Sequence, residues 1–229
     1  MCGRFVLDAS SDELIREFMV EKNAFPDWVP RWNIAPTSTI PIIIKDAESA
    51  RVLTPARWSL VPPSAPELTT PYSTFNARTE SAAAKRTFAG PLRHSRCLIP
   101  ARGYYEWSLL EGVKKPYFLH RQDRGMFSMA GLMSWWKAPG SPTAQATATI
   151  LTRASAGPLT AVHDRMPVIV SRDNENAWLD TSDTDGATLL KEISQHTQNG
   201  SDQWDFYSVD PLTGEGAHLT HPESANPLL

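Results

Sequence analysis

The sequence predicts an α+β fold, with a mainly antiparallel, barrel-like β core and flanking helices in a single domain. Three observations carry that prediction. Strand-like runs rich in β-branched and aromatic residues follow one another at close intervals from residue 96 to residue 170. They do not alternate with long helical patterns, so parallel βαβ units are not implied. Hydrophobic residues make up 41% of the 229 residues, enough to bury a core and too many for a disordered chain.

Taken in order, Ser10-x-x-Glu13 is a capping box, and Leu14, Ile15, Phe18 and Met19 follow at helical spacing, which predicts an amphipathic helix over 11–21. The Pro-rich stretch 26–41 reads as irregular. "IPIIIK" and "ARVLTPARWSLV" read as strands, with Pro55 pushing the second toward an edge or a bulge. Residues 61–74, "VPPSAPELTTPYST", form a long loop of the kind that often carries function. "TESAAAKRTFA" (79–89) predicts one helix. "RCLIPARGYYEW", "KKPYFLHRQ", "MFSMAGLMSWW", "ATATILTR" and "MPVIVS" are strands, "NENAWLD" and "ATLLKEISQH" short helices, and "WDFYSVD" the last strand. The domain is expected to span 1–210, with 211–229 a polar C-terminal tail whose order or disorder the sequence leaves open.

No apolar run approaches the ~20 residues of a membrane span. The charged, helical pattern of the first 25 residues gives no expectation of a signal peptide, so a cytosolic or nuclear protein is expected. Two cysteines, Cys2 and Cys97, lie outside any CxxC pair, and His218 and His221 sit in the polar tail as solvated residues; no metal and no cofactor are expected. The net charge of −3 argues against an indiscriminate nucleic-acid binder. Its distribution is uneven: residues 1–125 hold 17 Lys+Arg and 13 Asp+Glu, residues 126–229 hold 5 and 12. Within 76–102, Arg78, Lys85, Arg86, Arg93, Arg96 and Arg102 face one acid, Glu80, which suits either an anionic ligand held locally or a solvated helix face.

Cys2 is a small buried hydrophobe or a nucleophile. If Met1 is removed, one residue carries an α-amine of pKa ~7.7–8.0 and a thiol of pKa ~8.5. The neutral amine attacks an aldehyde to give an imine, and the thiol closes on the imine carbon to give a five-membered thiazolidine. Only an N-terminal cysteine has both groups. In "FNARTE", Asn76 and Arg78 share a face where a strand gives way to a helix; an amide orients a hydroxyl or carbonyl and a guanidinium forks onto a phosphate, or the pair is a cap and a surface arginine. Glu106 stands among aromatics in "GYYEW", where desolvation raises a carboxyl toward the acid–base range, or it faces outward. His163 in "VHDRMP" titrates near neutrality, or is a satisfied loop histidine, with Asp164 and Arg165 paired.

Five motifs together, MCGRF at the start, WNIAP at 32–36, FNARTE at 75–80, RGYYEW at 102–107 and VHDRMP at 162–167, resemble the SOS response-associated peptidase (SRAP) family of abasic-site shields. The resemblance implies a mixed α+β domain on an antiparallel barrel-like core that binds single-stranded DNA and cross-links to an abasic site. It implies Cys2 as the nucleophile that forms the thiazolidine, Asn76 orienting the abasic sugar, Glu106 shuttling protons, and His163 assisting ring opening. It further implies Arg4, Arg78, Arg86 and Arg165 on phosphates and Pro36 lining the DNA channel. The expected protein is a monomer whose partner is single-stranded DNA with abasic sites, nucleoid-associated in a bacterium or nuclear in a eukaryote. Related proteins carry a tryptophan wedge in the loop after W-x-x-x-P; here Pro63, Ser64 and Ala65 stand near that place. Two other classes remain open: a cysteine-type autopeptidase using Cys2, His163 and Glu106, for which no propeptide beyond Met1 is expected, and a non-covalent single-strand binder.

Overall fold

The computed structural model describes residues 2–109, 113–182 and 185–223. Strand β1 (Arg4–Leu7) leads into α1 (Ser11–Glu17), then β2 (Lys22–Asn23), β3 (Arg31–Ile34), β4 (Thr39–Lys45), β5 (Arg51–Trp58) and β6 (Asn76–Arg78). Helices α2 (Thr79–Ala82) and α3 (Arg86–His94) precede β7 (Arg96–Ala101), β8 (Gly103–Ser108), β9 (Lys115–Arg121), β10 (Phe127–Lys137) and β11 (Ala144–Ala154). The chain ends with β12 (Arg165–Pro167), β13 (Ile169–Val170), α4 (Arg172–Leu179), α5 (Gly186–Asn199) and β14 (Trp204–Ser208).

The strands form two sheets. One runs β12-β11-β10-β7-β4-β5-β2, and an additional pairing of β5 with β11 closes β11, β10, β7, β4 and β5 into a five-strand ring. That ring is the barrel core. Its closing seam, Ala146↔Ala56 to Ala148↔Trp58, is parallel, while the other four ring pairings are antiparallel. β6 then takes the place of β5 beside the same strand, again parallel, with Ile150↔Asn76. The second sheet runs β14-β9-β8-β1-β3 and is antiparallel throughout. Closure removes edges that would otherwise invite pairing with another chain.

The apolar runs in the sequence have a direct cause. Every residue of β7 is buried, as are the first eight of β10, because both strands are covered on two faces. α3 packs on both, α4 and β1 pack on β7, and the barrel interior lies behind. Gly131 is required there: a Cβ would sit 2.6 Å from Cys97 Sγ. The Ser10 capping box forms as the sequence predicts, with Glu13 Oε2 accepting from Ser10 N at 2.8 Å. Several local expectations differ from the structure: α1 ends at Glu17 rather than at 21, and "RCLIPARGYYEW" and "MPVIVS" each divide between two strands, β7 and β8, and β12 and β13. The stretch 79–89 is not one helix but two, broken at Lys85, whose backbone is extended. Ala82 and Phe88 are both buried and lie six residues apart, about 240° around a continuous helix, so the break turns both toward the core. The Pro-rich stretch 26–41 contains β3, held by its long-range pairing with β1.

Residues 211–223 pack on the second sheet: Glu215 accepts from Arg31 and from the backbone of Trp32 and Asn33 on β3, Leu219 is buried, and Pro222 bridges to Val209. Among the described residues, no helix is long and apolar enough to cross a membrane.

Candidate functional site

The site lies where the second sheet meets the barrel. Cys2 lies two residues before β1, which pairs β8 with Arg4↔Tyr105 and Phe5↔Tyr104. That antiparallel register carries the start of the chain to the level of Glu106. From the other side, β11 supports two further contributions. Its Ile150 aligns Asn76 on β6, and its Ala154 aligns Arg165 at the start of β12, two residues after His163.

The contacts cross the seam between the sheets. Asn76 Nδ2 donates to the Cys2 carbonyl at 2.8 Å. Its Oδ1 is buried and has no hydrogen-bond partner among the described residues. His163 Nε2 stands 3.7 Å from Glu106 Oε2. The structure thus brings Cys2, Asn76, Glu106 and His163 to one place from four separate segments.

Their electrostatics follow from burial. Glu106 is buried, and desolvation raises its carboxyl from the ordinary carboxylate range to about 7, with Asp164 adding to the shift. Cys2 is 0% exposed; burial first, then the Glu106 carboxylate, pushes its thiol well above the usual range. Desolvation lowers the pKa of His163, which favours its neutral imidazole. Two neighbours of Nδ1 make opposite demands: the Arg165 N–H at 2.9 Å needs a lone pair, and Asp164 Oδ1 at 2.8 Å needs a proton. Asp164 is largely exposed and screened, whereas the backbone donor is fixed. We therefore assign the proton to Nε2, facing Glu106. Sequence reasoning passed over Tyr104, on the same face of β8 as Glu106. Its hydroxyl is buried without a partner among the described residues, and burial, Cys2 and Glu106 all raise its pKa.

The expected phosphate-holding residues divide. Arg165 is committed to Glu80 by two bonds of 2.7 and 3.0 Å, which hold the Glu80 carboxyl at about 2. Arg4 donates to Asn33 Oδ1 at 2.7 Å. Pro36 follows β3, whose register with β1 brings it toward the Cys2 end. Arg78, Lys85 and Arg86 are exposed and form no ion pair among the described residues. They line, with Asn76 and Tyr72, a cleft of about 530 Å³. Two members of the basic run are structural instead: Arg96 donates to carbonyls of α3 and α4, and Arg102 pairs with Asp8. No cluster of three metal-ligating side chains occurs among the described residues.

The family model described as SOS response associated peptidase (SRAP) matches residues 1–215. The chain is 35% identical to the "Abasic site processing protein YoqW" of Bacillus subtilis, over 93% of each chain. It is 28% identical to the "Abasic site processing protein HMCES" of Gallus gallus, over 84% of this chain and 69% of that one. A crystal structure of a protein from Bacteroides thetaiotaomicron shares the fold, with a TM-score of 0.80 at 20% identity, covering 97% of this chain and 100% of that one.

Proposed function

The chain belongs to the SOS response associated peptidase (SRAP) family, and on that premise we propose that it is an abasic-site sensor of the DNA damage response that captures lesions in single-stranded DNA through Cys2. One observation carries the reading: a buried cysteine at position 2 adjoins a carboxyl that titrates at about 7. Met1, whose removal the chemistry requires, lies outside the described residues.

The abasic sugar, ring-opened, presents an aldehyde. The neutral α-amine of Cys2 adds to it to give a carbinolamine. Glu106, about half protonated near pH 7, donates a proton to the departing hydroxyl, and water leaves as the imine forms. The thiol then adds across the C=N bond: Sγ bonds to carbon, the nitrogen takes the proton, and a thiazolidine closes. Overall, aldehyde plus aminothiol gives thiazolidine plus one water. His163 passes a proton between Glu106 and the sugar, and Asn76 fixes the Cys2 backbone while its open Oδ1 accepts from a sugar hydroxyl. The raised thiol pKa suits this order, because the amine reacts first; it opposes the resting thiolate that a cysteine peptidase uses.

The test is incubation with single-stranded DNA carrying one abasic site, read by denaturing gel and intact mass. The expected product is a heat-stable adduct at the mass of protein lacking Met1 plus DNA minus one water. Cys2→Ala keeps an α-amine and should give only an imine that borohydride traps. A heat-stable adduct from Cys2→Ala without reductant, or loss of the adduct in Cys97→Ala, overturns the reading.

A further inference from the structure

A second cleft adjoins the one beside Asn76. It has a volume of about 630 Å³ and shares Tyr72, Arg86 and Thr87 with its neighbour as a common wall. Pro62, Pro63 and Met133 give it an apolar lining, to which Trp135 also belongs. Neither cleft has a carboxylate in its lining, although the chain as a whole is acidic.

Two aromatic side chains appear among the exposed large hydrophobics of the described residues, Tyr72 at 55% and Trp135 at 48%. Both line this groove. The tip of the Tyr72 ring and the backbone that carries Trp135 are both tied down. The Tyr72 hydroxyl lies 2.8 Å from Thr87 Oγ1 on α3. Trp135 is in register with Ala146 in the barrel wall, and its neighbour Trp136 donates through Nε1 to Ala65 O at 2.9 Å. Exposed aromatic faces beside unpaired cations are the combination that binds unpaired bases and their phosphates. A duplex, whose bases are already stacked, has no face to offer them.

We propose that the groove from Asn76 to Trp135 holds the nucleotides flanking the lesion on one side, with Tyr72 and Trp135 as stacking platforms and Arg86 on the phosphate between them. This rests on the abasic-site reading and deepens it. It makes Trp135 a recognition residue and gives the strand a direction out of the site. Tyr72 takes the place that an aromatic wedge at Ser64 leaves open.

The experiment uses the full chain with Cys2→Ala, so that no adduct forms, and fluorescently labelled strands containing one abasic-site analogue. Anisotropy titrations compare strands lengthened one nucleotide at a time on either side of the lesion. Affinity should rise with extension on one side until Trp135 is reached. Adding Trp135→Ala should abolish the last gain and weaken long strands roughly 5- to 150-fold, the range for losing one base–aromatic stack. Trp135→Phe should recover most of it. The length series on the intact rings stands as evidence if the alanine variant does not fold. Equal gains on both sides, an unchanged affinity in Trp135→Ala, or equally tight binding of duplex overturns the proposal. Cross-linking by the protein with Cys2 intact is scored separately, so loss of the covalent reading and loss of the groove are distinct results.

Discussion

Glu106 is unfavourable where it stands. Its folded carboxyl titrates at about 7 against an ordinary value of 4.5, and the cause is burial. A raised acid pKa costs nothing below the unfolded value; the cost grows as pH rises from 4.5 to about 7 and stays constant above. The full shift corresponds to about 3 kcal/mol. Glu106→Gln should therefore melt higher than the parent at pH 8 and much closer to it at pH 5, while cross-linking slows by ~10²–10⁴-fold. Thermal melts at both pH values together with single-turnover cross-linking check the pair; a slower variant that is less stable at pH 8 contradicts the account. His163→Ala should slow the reaction across pH 5.5–8.5 with little change in melting temperature, measured in the same way. Cys2, Asn76, Glu106 and His163 could be singled out through motifs that resemble the family's, since each residue type alone left a structural role equally open, and the structure brings the four together. Tyr104 was not, because its hydroxyl matters only through the burial that packing creates.

The elements around the site are tied by side chains that no local pattern pairs. Glu80 on α2 and Arg165 on β12 are 85 residues apart, and the sequence offered Arg165 only Asp164 or a phosphate as a partner. Their bonds join the β6–α2 corner to the strand that follows His163. Half of the pair is exposed, so its loss should cost less than about 1 kcal/mol. Glu80→Gln also releases the Arg165 guanidinium from its ion pair. It should bind undamaged single strands a few-fold more tightly at low salt, and anisotropy titration reads this directly. At the other end of the chain, Ser10→Ala should destabilise α1 by about 1 kcal/mol in a denaturant titration, because it removes the cap that the sequence announces. Caps and strand runs were legible because their causes are local. The break at Lys85 and the strand β3 were not, since both are set by which distant surface each residue must meet.

At the scale of the molecule, the basic half of the sequence does not become a basic half of the structure. Arg51 is buried against Glu175, Arg96 is spent on carbonyls, and Arg102 is paired with Asp8. Three cations at the cleft, Arg78, Lys85 and Arg86, form no ion pair among the described residues. With about −0.7 in log K per log salt for each phosphate neutralised on a single strand, the slope for undamaged DNA should be about −2. A salt titration in Cys2→Ala measures it, and a slope near zero rules out phosphate-led binding.

The seam at β11 also bears on how such a chain diversifies. β5 leaves that strand at Ala148 and β6 rejoins it at Ile150. The 17 residues 59–75 therefore begin and end about 7 Å apart on a fixed rail, closed at the base by Ser59 against Thr74 at 2.9 Å. Halving or doubling a tethered excursion changes its closure entropy by only ~0.6 kcal/mol. The segment is an exchangeable cassette: it can lengthen, shorten or trade its aromatic tip while the barrel keeps its register and the residues around Cys2 keep their places. Swapping it between relatives should transfer the preference for flanking bases and leave the reacting groups unmoved.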